Sequence, residues 1–400
     1  MPKIEDYIPI VGQDTIDELY SLADEFQGKT VQNINSTFMG GGVAEMLSRM
    51  IPFYRQLEID VGWDIIKGNE KFFRVTKKIH NDLQGFHAGL NDEDLSYFLE
   101  INKTNAETID LYGDIISIHD PQPIALVNER ESNGTKWIWR CHIDLTEPQP
   151  EILNFLRNYI EKYDCAVFSM QKYLQSNLNI KQLVIYPSID PLSNKNKDIN
   201  DTTITSIVDR FGIDSDRPIV TQISRFDTLK NPIGAIDIYK KVKRDIDCQL
   251  VLAGGDASDD PESSDLLEKV KYLAKGDSDI HVIFLPPSSD LEINALQRAS
   301  TVILQNSLRE GFGLTVTEAL WKAKPVIASS VGGIPLQITH KISGLLSTCF
   351  DETVDNLRKL LLEPEYALRL GMNGRKYVRN NFLITRHVKD CLLTFRSLYN

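Results

Sequence analysis

Four hundred residues exceed what a single hydrophobic core organises, since cores stop growing near ~250–300 residues, so two domains of similar size are expected. Hydrophobic residues at 42% and charged residues at 25% are the proportions of an ordinary globular chain and exclude a disordered or fibrous one. Lys and Arg number 44 against 56 Asp and Glu, a net charge of -12, so the summed field repels phosphate backbones and acidic membrane surfaces and argues against both as partners.

The first strand-like run is Val31–Asn35. Ser36, Thr37, Phe38 and Met39 follow, then Gly40, Gly41 and Gly42, which open a helix with Val43, Met46, Leu47, Met50, Tyr54 and Leu57 on its apolar face. Glycine backbone, lacking Cβ, can approach a phosphate or sugar hydroxyl closely and aim N–H groups at it with the helix dipole behind them. A tight turn is the alternative reading. Neither Gly-x-Gly-x-x-Gly nor the lysine-containing phosphate loop is matched. Pro52, late in the helix, predicts a kink.

Further strands are expected at Ile115–His119, Ile138–Ile143, Cys165–Ser169 and Leu183–Tyr186. His119 and His142 each end one of these strands near an acid, Asp120 and Asp144, on the edge where a site should open. Trp137 and Trp139 alternate, which places one in the core and the other near the mouth of the site. Tyr186-Pro187-Ser188-Ile189-Asp190-Pro191 and the polar Ser193–Asp201 stretch then read as a hinge, with a domain boundary near residue 190.

The second half repeats the strand-helix alternation, with strands expected at Ile219–Ser224, Gln249–Ala253, Val282–Leu285, Val302–Gln305 and Val326–Ser329. The first ends in Ser224-Arg225-Phe226-Asp227-Thr228-Leu229-Lys230-Asn231-Pro232. Ligands of open parallel sheets bind beyond the carboxyl ends of strands, so Arg225 and Lys230 stand where cations could neutralise a departing diphosphate. Solvated surface cations are the alternative. After Val302–Gln305 come Glu310 on a loop and Glu318 in the opening turns of the next helix. Carboxylates accept pairs of hydroxyl hydrogen bonds, one suiting a sugar ring and the other a ribose, while the amides of Gly313, Leu314 and Thr315 point at phosphate. Alternatively, Glu310 is a surface residue and Glu318 a first-turn acid favoured by the helix dipole. The last residues, with Val388, Cys391, Leu392, Phe395 and Leu398 at helical spacing, form an amphipathic helix that needs a surface to cover.

The five scattered cysteines match neither a disulfide framework nor a zinc site. Asp120 and Asp144 lack metal-ligand spacing, so no essential metal is expected and Arg225 and Lys230 supply the positive charge instead. No apolar run reaches the ~18 residues of a membrane span and no leader pattern opens the sequence, so a cytoplasmic location is expected.

Taken together, Glu310 with Glu318, Arg225 with Lys230, the Gly40–Gly42 loop and Ser330-Val331-Gly332-Gly333-Ile334-Pro335 resemble the retaining glycosyltransferases of family four. Asn35-Ser36-Thr37, His119-Asp120-Pro121-Gln122-Pro123 and Trp139-Arg140-Cys141-His142-Ile143-Asp144-Leu145 are similar to the trehalose glycosyltransferring synthases of that family. The resemblance implies an α/β protein with the GT-B fold, two Rossmann-like α/β/α domains facing a deep cleft. It implies residues 1–189 as the acceptor domain, with a terminal helix from 376–400 crossing back to it, and 190–375 as the donor domain. Its implied reaction joins glucose from a uridine or adenosine diphosphate glucose to free glucose, giving trehalose with retention. Arg225 and Lys230 would grip the diphosphate, Glu318 the ribose and Glu310 the donor glucose, with Gly40, Gly41, Gly42, Gly313, Leu314 and Thr315 also on the donor side. His142 would act beside the leaving oxygen, and His119, Asp120 and Gln122 would bind the acceptor. No cofactor is required, Mg2+ is compatible without being needed, and a homodimer is compatible too. Trehalose phosphorylases, which use inorganic phosphate, and transferases with other acceptors share the family.

Overall fold

The computed structural model describes residues 2–38, 41–255 and 261–399. It divides into two compact units, Met1–Pro187 with Ile384–Asn400, and Ser188–Leu383.

Six strands make the sheet of the first unit: β1 (Thr30–Asn35), β2 (Asp60–Ile65), β3 (Ile115–His119), β4 (Lys136–Cys141), β5 (Cys165–Phe168) and β6 (Lys181–Val184). Their order is β2-β1-β3-β4-β5-β6, and every neighbouring pair is parallel. The second unit holds β7 (Ile219–Ile223), β8 (Gln249–Gly254), β9 (Ile280–Phe284), β10 (Val302–Gln305), β11 (Val326–Ser329) and β12 (Leu345–Ser347). These lie in the order β12-β11-β10-β7-β8-β9, again all parallel.

Parallel sheets are covered by helices on both faces, so their inner strands bury both sets of alternating side chains and read as unbroken apolar runs. In β8, Leu250 and Leu252 join one core cluster with Val242 and Leu357, while Val251 and Ala253 join the opposite cluster with Leu296. Burying each such Leu or Val stabilises the fold by roughly 1.5–3 kcal/mol. The tryptophans correct the expectation: two positions apart in β4, Trp137 and Trp139 point to the same face of the sheet and are buried together, 2% and 0% exposed. Neither stands at a mouth.

β2 and β12 lie outside the strands that the sequence predicts. Both are sheet edges. An edge strand has a neighbour on one side only, so polar residues such as Asp60 and Asp64 fit in β2, and β12 is just three residues long.

Two boundaries also differ. Residues 190–201, expected to be a hinge, are tied into the second unit: Asn294 Nδ2 donates to the carbonyls of Asn194 and Lys197 at 2.9 and 2.8 Å, and Arg298 reaches Asp198 at 2.8 Å. Helix Pro364–Asn381 runs unbroken past residue 376, so the terminal helix is Ile384–Arg396. That helix packs on Gln13–Asp24 and Gly41–Gln56 of the first unit, burying Val388, Leu392 and Phe395. Helix Gly41–Gln56 continues through Pro52.

Each sheet reverses its strand order once. From β1 the chain adds β2 on one side and then returns to place β3 on the other; from β7 it adds β8 and β9 before returning to β10. Connections leave such a switch point in opposite directions, which opens a crevice at the carboxyl ends of the two central strands. The ends of β1 and β3, and of β7 and β10, are therefore where each unit can hold a ligand.

Candidate active site

At the β7/β10 switch point the loop after β7 is fixed at several places. Asp227 Oδ1 accepts the Leu229 N–H at 2.7 Å, and Gln222 Nε2 donates to the Lys230 carbonyl at 2.8 Å. Asn231 takes a left-handed conformation at φ 53° and accepts the Gly234 N–H, starting helix Pro232–Lys243. Lys230 is thereby turned inward. Its Nζ lies 2.8 and 2.7 Å from Oε1 and Oε2 of Glu310, and the two side chains are 17% and 10% exposed. Arg225 stands apart, 55% exposed and 3.4 Å from Asp227 Oδ2.

Glu310 is held by more than its cation. Ser307 Oγ and Gln305 Nε2 lie 3.2 and 3.4 Å from its Oε2. Below its backbone sits Gly332, at φ 52°, where a Cβ would come within 1.6 Å of the Glu310 carbonyl oxygen. Only glycine permits that approach. Three residues after Glu310, Gly313 at φ 85° caps helix Leu314–Trp321. The Val316 N–H bonds the Gly313 carbonyl at 2.9 Å, whereas the amides of Leu314 and Thr315 open the helix ahead of its first intrahelical acceptor and carry the positive end of its dipole. Lys230, Glu310 and this helix start thus form one cluster.

Glu318 belongs to a second cluster. It is 4% exposed, and its Oε1 lies 3.9 Å from Lys195 Nζ, which is also 3.7 Å from Asp290. Lys322 Nζ, buried, donates to Asn196 Oδ1 and to the Glu318 carbonyl at 2.9 and 3.2 Å. Burial brings the Lys322 ammonium down to about 7, against the opposing pull of Glu318. The two glutamates therefore have separate cation partners, Lys230 and Lys195. Lys195 and Lys322 escape sequence reasoning because the segment 190–201 reads as a linker and a helical lysine as solvent-exposed.

In the first unit, the glycine loop follows β1 directly. Gly40 lies outside the described residues, helix Gly41–Gln56 begins at Gly41, and a Cβ at Gly42 would meet nothing within 4 Å. Beyond β3, Asp120 adopts a left-handed φ of 63° and its Oδ1 accepts the His142 N–H at 2.7 Å. Burial pushes its carboxyl up to about 7, against the pull of that N–H and of Arg140. Gln122, also past β3, accepts a hydrogen bond from Asn102 Nδ2 at its carbonyl, 3.0 Å.

His119 departs from its expected role. It is 4% exposed, with Nε2 3.1 Å from Asn33 Oδ1 and Nδ1 3.1 Å from His142 Nε2. Both ring nitrogens are committed to protein, so His119 reaches a ligand only through His142. The cavity behind it, lined by Asn33, Ser117, Arg140 and His387 among others, holds about 40 Å³, far too little for a sugar. Burial first, and Arg140 second, hold His119 down to about 3. The same causes, with His119 and His387, keep His142 well below its ordinary value. Arg140 itself is buried and donates to the carbonyls of Phe168 and Ile185 at 3.0 and 2.7 Å. Asn33 and Arg140 were not among the expected site residues, yet polar side chains inside central strands are a readable signal.

Among the described residues no group of three or more His, Cys, Asp or Glu could hold a metal ion, and no helix is long and apolar enough to cross a membrane.

Residues 33–175 match the family described as trehalose synthase, N-terminal domain, and residues 204–377 match glycosyl transferases group 1. Over 395 residues the chain is 44% identical to the trehalose synthase of Thermococcus litoralis, covering 98% of this chain and 96% of that one. It is 31% identical to the trehalose phosphorylase of Pleurotus pulmonarius, over 86% of this chain and 54% of that one. Among solved structures, the E. coli protein described as trehalose-6-phosphate bound with UDP-2-fluoro glucose superposes with a TM-score of 0.72 at 14% identity, covering 92% of this chain and 98% of that one.

Proposed function

The chain belongs to the trehalose synthase family of GT-B glycosyltransferases, and from that premise we propose that it transfers glucose from a nucleoside diphosphate glucose to free glucose, with retention, to form trehalose. The observation that carries this reading is the Lys230–Glu310 pair at the β7/β10 switch point, beside the amides that open helix Leu314–Trp321.

In the absence of ligand Glu310 neutralises Lys230. An arriving diphosphate competes for that ammonium and meets the helix amides and Arg225 as further donors, which frees Glu310 to accept hydroxyls of the transferred glucose. Glu318 takes the ribose hydroxyls. As the bond between glucose C1 and the diphosphate oxygen breaks, charge builds on that oxygen, and Lys230 and Arg225 stabilise it more strongly than in the ground state. The acceptor hydroxyl forms the new bond to C1 from the face being vacated, and its proton passes to the departing phosphate oxygen, so the configuration is kept. In this reading the second unit carries the donor, and the first carries His142 beside the transferred glucose, with Asp120 and Gln122 on the acceptor side.

The test is to supply uridine and adenosine diphosphate glucose with free glucose and to identify the disaccharide by proton NMR. An α,α-1,1-linked product with release of nucleoside diphosphate is expected. A product with an inverted donor centre, or a different acceptor, would overturn the assignment. Kinship with phosphorylases calls for a parallel reaction of trehalose with inorganic phosphate and no nucleotide. Glucose 1-phosphate formed there, with no synthesis from either nucleotide sugar, would replace the transferase reading by a phosphorylase one.

A further inference from the structure

Three side chains at the carboxyl edge of the first sheet form a line that the transfer chemistry leaves unexplained. Asn33 lies on β1, His119 ends β3 and His142 follows β4. Asn33 Nδ2 lies 3.4 Å from the carbonyl oxygen of Gly62. A carbonyl only accepts, so this contact decides which end of the amide is nitrogen. The other end, Oδ1, faces His119 Nε2 at 3.1 Å and can only accept, so His119 Nε2 must carry the N–H that donates to it. A neutral imidazole carries one N–H, so His119 Nδ1 is a lone pair, and His142 Nε2, 3.1 Å away, must be the donor there. His142 Nδ1 is then the acceptor nitrogen. No protein group bonds it among the described residues, and His142 keeps part of its surface exposed.

Protonating His119 would point two N–H groups at each other across the His119–His142 contact. The surroundings oppose that protonation. His119 is buried, the Arg140 guanidinium stands on β4, and His387 faces the same cavity from helix Ile384–Arg396. Asp120, the nearby acid, directs Oδ1 to the His142 backbone N–H. The rings lie nearly parallel, 14° apart with centroids 5.4 Å from each other, which keeps the two nitrogens in register.

We propose that Asn33 is a positioning residue that, through His119, fixes His142 as the Nε2–H tautomer, so that His142 meets its ligand as an acceptor of a sugar hydroxyl and not as a donor to an anionic oxygen. The sugar hydroxyl as ligand rests on the transferase reading; the tautomer does not. Polarity thus runs from a backbone carbonyl on β2 through three side chains to the ligand edge.

The deciding measurement is nitrogen NMR of the ligand-free protein labelled with 15N-histidine, with the His142 signals identified by their loss in H142Q. A protonated Nε2 and an unprotonated Nδ1 at His142 are expected, and the reverse pattern overturns the proposal whatever the protein's substrate. In N33L the His142 tautomer should become mixed and the turnover number fall by about fivefold to tenfold, as for one lost hydrogen bond, with the Michaelis constant for the nucleotide sugar unchanged. Glutamine at position 119 offers an amide donor and an amide acceptor, so H119Q should retain the tautomer and most of the turnover, whereas H119L should lose both. An unchanged tautomer in N33L and H119L would refute the relay. Should N33L fail to fold, the wild-type spectrum with H119Q and H119L still decides. Finally, adding saturating uridine or adenosine diphosphate glucose should shift the His142 Nδ1 resonance in the direction of hydrogen-bond acceptance. No shift, in a protein that turns over that sugar, would remove the hydroxyl contact.

Discussion

Replacing Lys230 by alanine removes a cation that sits 2.7 and 2.8 Å from the oxygens of Glu310, and it separates a stability effect from a catalytic one. At an effective dielectric near 20, the gross attraction over that distance is about 6 kcal/mol. Desolvation offsets much of it. Deleting one partner of a fully buried pair costs about 3–5 kcal/mol, and here the 17% and 10% exposure and the bonds from Ser307 and Gln305 lower this to roughly 1–3 kcal/mol. At roughly 2–4 °C per kcal/mol for a unit of this size, the unfolding midpoint should fall by about 2–12 °C. On the proposed transferase reading turnover is affected through a different route, because Lys230 would face charge that builds up as the glycosidic phosphate bond breaks. Loss of such a preorganised donor lowers the turnover number by about 10²–10³. The double variant K230A/E310A removes the stranded carboxylate as well, so it should regain stability relative to K230A and regain no activity. Steady-state kinetics with varied nucleotide sugar, alongside thermal unfolding, give both readouts. A turnover number within about threefold of wild type, with only the Michaelis constant changed, would refute the transition-state role.

Gly332→Ala would place a Cβ 1.6 Å from the Glu310 carbonyl oxygen at a left-handed φ of 52°. The Glu310 loop must move, and a shift of that kind should cost about 10²-fold in turnover while far-UV circular dichroism stays native; unchanged kinetics would show that Glu310 is not held by this contact. For Asp120, a carboxyl pushed up to about 7 by burial keeps its proton in the folded protein where the unfolded chain, near about 4, has lost it. The stability this gives is full below about pH 4 and is lost as pH rises to about 7. D120N, neutral throughout, should therefore match wild type near pH 4 and gain on it across that window in thermal unfolding. A difference independent of pH would mean that the Asp120 carboxyl ionises normally.

Much of this site is legible in the sequence because it is local. Arg225, Lys230, Gly313 and Glu318 stand at strand-to-helix turns that apolar periodicity places within a few residues, and Gly332 and Gly333 occupy a turn where only glycine fits. The inner strands are equally readable, since burial on both faces of a parallel sheet leaves unbroken apolar runs. Edge strands β2 and β12 are not, because one exposed side lets polar residues in. Nor are His119 and the lysines at 195 and 322, whose burial depends on what packs over them.

What the sequence determined by itself was the kind of protein: the αβ alternation, the two units, and the family carried by motifs at those turns. Strand order it could not determine, because parallel strands pair through backbone groups that are the same for every residue. The tertiary structure alone decided that β7 lies beside β10 and β1 beside β3. Those two adjacencies bring Lys230 to Glu310 across 80 positions of sequence and Asn33 to His119 across 86, and they turn separate side chains into an ion pair and a hydrogen-bonded line.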